Sequence, residues 1–177
     1  MGYKIGVVSQ KGGVGKSTIA RGIAAAYAKA DWNVKIADLD INQSTSFAWQ
    51  QRRLQSGIEP TVGVEVFGTV TQALKVADQY DLMVFDGAPT AAKSTVEIAQ
   101  AADLVVLPTG LSLDDLTPTV TLANTLTSKH GISPDKIAIA LCRVGTSEKE
   151  MIEAREYLGE TPYHALDGHM QEKTAFR

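Results

Sequence analysis

A β-strand that is apolar at every position has no face it can give to water, and this chain contains several. Leu82–Asp86 (LMVFD) is apolar over four successive residues and Ile137–Leu141 (IAIAL) over all five. Lys4–Ser9 (KIGVVS), Val34–Asp38 (VKIAD) and Leu104–Leu107 (LVVL) carry the same signature, and Val62–Phe67 reads as a further short strand. Side chains alternate between the two faces of a strand, so such runs need cover on both sides. Between them lie segments of helical spacing. Ile19, Ile23 and Tyr27 recur every four residues after Lys16 and predict the apolar stripe of a first helix. Helices are also expected around Ser46–Leu54, over Val70–Ala77 and around Ser94–Ala101. Thr117-Pro118 suits a helix start, since threonine caps and proline fits the first helical position, and that helix should run to about Lys129. Ser147-Glu148-Lys149-Glu150 has capping-box spacing for a last helix ending near Gly159. This alternation predicts an α/β fold, a three-layer sandwich whose mostly parallel sheet is covered by helices on both faces.

Composition narrows the classes. With 177 residues, 44% of them hydrophobic, the chain suits one domain (residues 1–177) with a sizeable core, and no repeat, linker or low-complexity tract divides it. A net charge of −3 weighs against whole-surface attraction to nucleic acid. The single cysteine, Cys142, excludes an internal disulfide and a four-cysteine metal site and fits a reducing compartment. No signal-peptide pattern opens the chain and no apolar run is long enough to span a bilayer, so a cytoplasmic location is expected.

The first strand runs into Lys11-Gly12-Gly13-Val14-Gly15-Lys16-Ser17-Thr18, directly before the first helix. Glycines let backbone N–H groups converge on an anion with no Cβ in the way, and the helix N-terminus adds its partial positive charge. Lys16 can reach β- and γ-phosphates, and the Ser17 hydroxyl can ligate Mg²⁺. The phosphate-loop consensus asks for glycine six residues before Lys16, where this chain has Gln10. At the carboxyl end of the second strand, Asp38 and Asp40 can hold Mg²⁺ through water and orient an attacking water, with a strand-end turn or cap as the lesser reading of Asp38. Asp86 closes an apolar strand at the same sheet edge, the setting of a carboxylate that holds Mg²⁺.

These residues resemble the ParA/MinD group of P-loop ATPases, whose "deviant" Walker A motif reads K-G-G-x-G-K-[ST]-T. The resemblance implies ATP and Mg²⁺ as cofactors, with Gly12, Gly13, Val14, Gly15, Lys16, Ser17 and Thr18 around the phosphates and Ser17, Asp38 and Asp86 at the metal. It implies catalytic parts for Lys11, Lys16 and Asp40. Lys11 would reach across a nucleotide-sandwich homodimer to the partner's phosphates, as an arginine finger does, and Asp40 would position water and act as a switch. The loop DLDINQS keeps Asp38, Asp40 and Ser44 of the family's D-x-D-P-Q-x-S, with Ile41 and Asn42 replacing proline and glutamine. SFAWQQR (Ser46–Arg52) resembles a helix of the small ParA proteins, with Trp49 read as packing. PTGLSLDDL (Pro108–Leu116) resembles their dimer-face segment, with Leu111 and Leu113 replacing prolines, and Gly87-Ala88-Pro89 a segment that senses the γ-phosphate. Cys142, near the family's adenine-side asparagine, is read as a small buried side chain.

The function implied is that of a small ParA-type partition ATPase. ATP would drive homodimerisation and nonspecific DNA binding, and a centromere-binding adaptor would stimulate hydrolysis and move plasmid or chromosome cargo, making the protein nucleoid-associated. Arg143, Lys149, Arg155, Lys173 and Arg177 are candidate phosphate contacts, although scattered surface charge is the simpler reading. In the small ParA proteins a further helix follows the point reached by Glu172–Arg177. No C-terminal amphipathic helix of the membrane-binding kind precedes Arg177, so no membrane partner is expected. The alternatives are positioning of another cargo, a dethiobiotin-synthetase-like ligase, and a scaffold that binds ATP without turning it over.

Overall fold

Strand β4 (Leu82–Asp86) is buried at all five positions and lies near the middle of the sheet. The computed structural model describes residues 2–89 and 92–172. Along the chain β4 is preceded by β1 (Tyr3–Val7), α1 (Lys16–Lys29), β2 (Val34–Asp38), α2 (Thr45–Gln55), β3 (Gly63–Val66) and α3 (Val70–Ala77). It is followed by α4 (Ala92–Ala101), β5 (Leu104–Thr109), α5 (Leu113–His130), β6 (Ile137–Val144), α6 (Glu148–Gly159) and β7 (His164–Gln171), with a 3₁₀ turn at Pro134–Lys136. The strands form one seven-stranded sheet in the order β3-β2-β4-β1-β5-β6-β7, and every pairing is parallel.

The doubly apolar strands feed two cores by simple alternation. Leu82 and Val84 of β4, Ile36 of β2 and Val106 of β5 face α1 and α2. Met83, Phe85, Ala37, Val105 and Leu107 face α3, α4 and α5. Period-two alternation across a covered sheet is the reason for both layers.

Three sequence expectations change. The stripe of α1 is displaced by one residue: Ala20, Ala24 and Ala28 are the buried positions, while Ile19 and Ile23 are half-buried at the flanks of the contact. Methyl side chains let α1 lie close over the sheet, and the larger neighbours fill the margins. Tyr27 is 37% exposed and packs edge-on against Trp32, with ring centroids 4.9 Å apart.

Helix α5 begins at Leu113, a full turn before Thr117, and Pro118 lies inside it. Ser112, extended at φ −70°, precedes the helix, and its carbonyl accepts from Asp115 and Leu116 N–H at 2.9 Å. Asp114 and Asp115 in the first turn favour that start through the helix dipole.

The third change is β7, which the sequence does not announce. HALDGHMQ has a glycine, four polar residues and no sustained alternation, as an exposed edge strand allows. Two expected caps are present: Thr69 Oγ1 accepts from Gln72 N–H at 3.2 Å and Ser147 Oγ from Glu150 N–H at 3.3 Å.

Candidate nucleotide-binding site

In the register of the central strands, Val7 of β1 pairs with Asp86 of β4, and Asp86 with Asp38 of β2. The loop after β1 and both strand-end carboxylates therefore share one sheet edge, where parallel α/β folds bind ligands. Ser9 ties the loop entry: its Oγ donates to Lys11 O at 2.7 Å and accepts from Lys11 N–H at 3.1 Å. Gly13 (φ 74°) and Gly15 (φ 104°) have left-handed backbones that side chains disfavour. A Cβ on Gly15 would also stand 3.4 Å from Cys142 Sγ, so the loop rests on that buried thiol. A Cβ at Gly12 or Gly13 would meet nothing within 4 Å, so the loop surface is open. Val14 is buried, and Thr18 lies in the first turn of α1.

Lys16 opens α1, is only 7% exposed, and donates from Nζ to Lys11 O at 3.2 Å. Burial lowers its pKa, while the charges of Asp86 and Asp40 pull the other way. Asp40 lies on the loop after β2, where its Oδ1 accepts from Gln43 N–H at 3.2 Å.

The carboxylates divide their work. Ser44, just before α2, has φ 44° and makes no side-chain cap. Asp38 caps in its place: its Oδ2 accepts from Ser46 N–H at 3.1 Å and Phe47 N–H at 3.2 Å, and its Oδ1 from Asp40 N–H at 3.1 Å. With three N–H donors on it, Asp38 caps helix α2, and it stands beside Asp86 in the strand register. Burial raises its pKa despite those donors. Asp86 is 1% exposed, and burial raises its pKa, while the hydroxyls of Ser46 and Ser17 pull the other way. Ser46 Oγ donates to Asp86 Oδ2 at 2.6 Å, while Asp86 Oδ1 is buried with no partner.

An orphaned carboxylate oxygen beside the Ser17 hydroxyl, in front of an open glycine loop with a buried lysine, fits a magnesium–phosphate group. Among the described residues no cluster of three or more His, Cys, Asp or Glu is arranged to hold a metal. Mg²⁺ is commonly held by one or two protein groups plus phosphate oxygens and water.

Lys11 behaves differently from Lys16. Its side chain is 43% exposed and leaves the loop for the start of α5, where Nζ lies 2.9 Å from Asp115 Oδ1 and donates to Asp114 O. Pro118 explains the second contact. It has no N–H for the carbonyl four residues back, so Asp114 O is free to accept from the lysine. Lys11 and the Ser112 hydroxyl hold the Asp115 carboxyl below the usual carboxylate range, Lys11 contributing most.

Over residues 5–176 the chain matches the family described as CobQ/CobB/MinD/ParA nucleotide binding domain. The chain belongs to that family. Among curated proteins, the maintenance of carboxysome distribution protein A of Gloeobacter kilaueensis is 29% identical over 169 residues, 94% of this chain and 76% of that protein. A plasmid partition protein of Borrelia burgdorferi superposes with a TM-score of 0.71 at 17% identity, covering 98% of this chain and 91% of that one. Cobyrinic acid a,c-diamide synthase of Mycobacterium smegmatis, with bound ADP and magnesium, gives 0.72 at 16% identity, covering 99% and 89%. At these identities the two structures share the fold.

For a CobQ/CobB/MinD/ParA domain, the sequence motifs find the loop and the carboxylates but miss the groups that orient them. Thr45 Oγ1 donates to Ser17 Oγ at 3.0 Å, and Arg21 Nε donates to Ser46 Oγ at 3.2 Å. The signal available was two adjacent hydroxyl residues directly after the Asp40 loop. Trp49 is half-buried packing, with the Arg53 and Arg21 guanidiniums 4.9 and 5.9 Å from its ring. Cys142 is fully buried as expected, and burial pushes its thiol up to about 11.

The candidate DNA contacts are engaged within the chain. Arg143 pairs with Glu172 at 3.6 Å, Lys149 with Glu153 at 3.6 Å, and Arg155 donates to the carbonyls of Leu166 and Asp167. Lys173 and Arg177 lie outside the described residues.

Proposed function

We propose that the chain is a ParA-type ATPase that dimerises on ATP and positions plasmid or chromosome DNA together with a centromere-binding adaptor. The observation that carries this reading is the opposed placement of its two loop lysines. Lys16 is buried in its own loop, whereas Lys11 is turned outward and half-exposed. Once released from Asp115, an outward ammonium beside a phosphate site can reach a second subunit, where positive charge supplied in trans stabilises charge developing on a transferred phosphoryl group.

ATP and Mg²⁺ are the cofactors of this reading, supported by the orphaned Asp86 oxygen and by the family's nucleotide-binding description. Bound Mg²⁺ supplies charge neutralisation at the β- and γ-phosphate oxygens. Lys16 and the backbone N–H groups from Gly12 to Thr18 hold the phosphates. Ser17 and Asp86 hold the metal, Asp38 supports its shell through water while capping α2, and Asp40 orients the attacking water. Lys11 must leave Asp115 before it can serve a partner, which ties its release to dimerisation.

A second reading keeps the ATPase and changes the cargo. It is favoured by the 29% relative, a carboxysome distribution protein, and by the internal pairing of Arg143 and Lys149. Binding to nonspecific DNA rests on the resemblance. Among the described residues no helix is long and apolar enough to cross a membrane. A ligase of this fold would bind its own nucleotide with Lys16 and has no use for an outward Lys11.

The test is ATPase specific activity against protein concentration. A trans-acting switch predicts activity that rises with concentration and falls at least about tenfold in Lys11→Ala, with ATP binding retained. Hydrolysis linear in protein and indifferent to Lys11 points to the ligase, and ATP binding without ADP production under any stimulus points to a scaffold.

A further inference from the structure

Ser46 touches both buried carboxylates of the site. Asp38 and Asp86 are direct neighbours in the β2–β4 register, two acids side by side at the sheet edge. The first turn of α2 lies against them, and Ser46, itself fully buried, serves each with a different group. Its backbone N–H donates to Asp38 Oδ2 at 3.1 Å, and its hydroxyl donates to Asp86 Oδ2 at 2.6 Å. The direction of the second bond is fixed chemically. Arg21 Nε, 3.2 Å from Ser46 Oγ, is a donor only, so the hydroxyl must accept from Arg21 and give its single hydrogen to Asp86. The chain Arg21 to Ser46 to Asp86 is therefore polarised from a cation toward a carboxylate, which strengthens the last bond.

This chain settles which way Asp86 faces. With Oδ2 held by Ser46, the other oxygen, Oδ1, is left buried and unpaired. A buried carboxylate oxygen with no partner is costly unless a ligand completes it.

We propose that Ser46, backed by Arg21, is the positioning residue that presents Asp86 Oδ1 to the metal. This rests on the reading that Asp86 holds Mg²⁺. Groups that orient a metal ligand contribute strongly to affinity, so loss of the hydroxyl should show in the metal titration itself.

The experiment is Mn²⁺ binding, read by electron paramagnetic resonance, on the whole chain with a saturating non-hydrolysable ATP analogue. Nucleotide affinity in EDTA and the ligand-free thermal midpoint are measured in parallel. Ser46→Ala should raise half-saturating Mn²⁺ by about tenfold while nucleotide affinity in EDTA is unchanged. Arg21→Gln should move the same titration in the same direction by less. Should Ser46→Ala fold poorly, Ser46→Cys keeps the volume with a weak donor and should show the same rise. Asp86→Asn separates the two ideas. An unchanged Mn²⁺ titration in Ser46→Ala beside a lost one in Asp86→Asn overturns the positioning role and leaves Asp86 at the metal. An unchanged titration in Asp86→Asn overturns both. A parallel loss of EDTA-nucleotide affinity in Ser46→Ala also overturns the proposal, because a collapsed loop would then explain the result.

Discussion

At the residue scale, Lys11 and Asp115 form the contact with the clearest consequence. A 2.9 Å pair at a half-exposed position contributes little to stability, so its weight lies in where it keeps the ammonium. Asp115→Asn removes the charge that holds Lys11. ATP-dependent dimerisation, followed by sedimentation, is expected at roughly two- to fivefold lower protein concentration. A shift to higher concentration would contradict a holding role. Because Lys11 lowers the Asp115 pKa, the pair's contribution is full above the ordinary carboxylate value and is lost only as pH falls through the lowered one, so it is intact at neutral pH.

Cys142 gives a second residue-scale test. Its thiol rises from 9.0 to about 11 on burial, so the unfolded chain deprotonates first and stability should decline as pH climbs from 9.0 toward about 11. At neutral pH the native thiol should resist iodoacetamide and react only after unfolding. Rapid native alkylation would mean that the loop above it opens.

At the element scale, α5 shows how a local rule yields to its neighbours. Thr117-Pro118 reads as a helix start because proline suits the first turn, yet Ser112 and the acidic pair begin the helix earlier. Proline is tolerated inside because the carbonyl it leaves free takes the Lys11 ammonium. Pro118→Ala restores the N–H to that carbonyl. It should stabilise the protein by about 1 kcal/mol in thermal unfolding and loosen Lys11 in the same direction as Asp115→Asn. A destabilised Pro118→Ala would show that proline is needed for packing against the loop. Helix α2 makes the complementary point: its N-terminus is capped by Asp38, eight residues before Ser46, because Ser44 adopts a left-handed backbone that takes its own hydroxyl away. No local capping pattern encodes that.

At the scale of the whole molecule, one sheet divides two cores. Phe85 is fully buried in the larger core, so Phe85→Ala should cost about 3–5 kcal/mol and lower the midpoint of a single cooperative unfolding transition. Two separate transitions would show that the layers unfold independently. Among the described residues, the α/β class, the six helices, six of the seven strands and the loop with both lysines were legible in the sequence, because they depend on local pattern: runs apolar on both faces, helical spacing, and glycines next to Lys16 and Ser17. Edge strand β7 was not, since an exposed strand needs no such pattern. The alanine face of α1 was not either, because which side of a helix meets the sheet depends on how closely the two approach. The sequence by itself determined that a phosphate-binding loop would stand at the edge of a parallel sheet beside Asp38, Asp40 and Asp86. Only the tertiary structure decided their hydrogen-bond partners, because the donors that reach these carboxylates come from distant elements. The α2 N-terminus takes Asp38, the Ser46 hydroxyl takes one oxygen of Asp86 and leaves the other free, and the start of α5 holds Lys11.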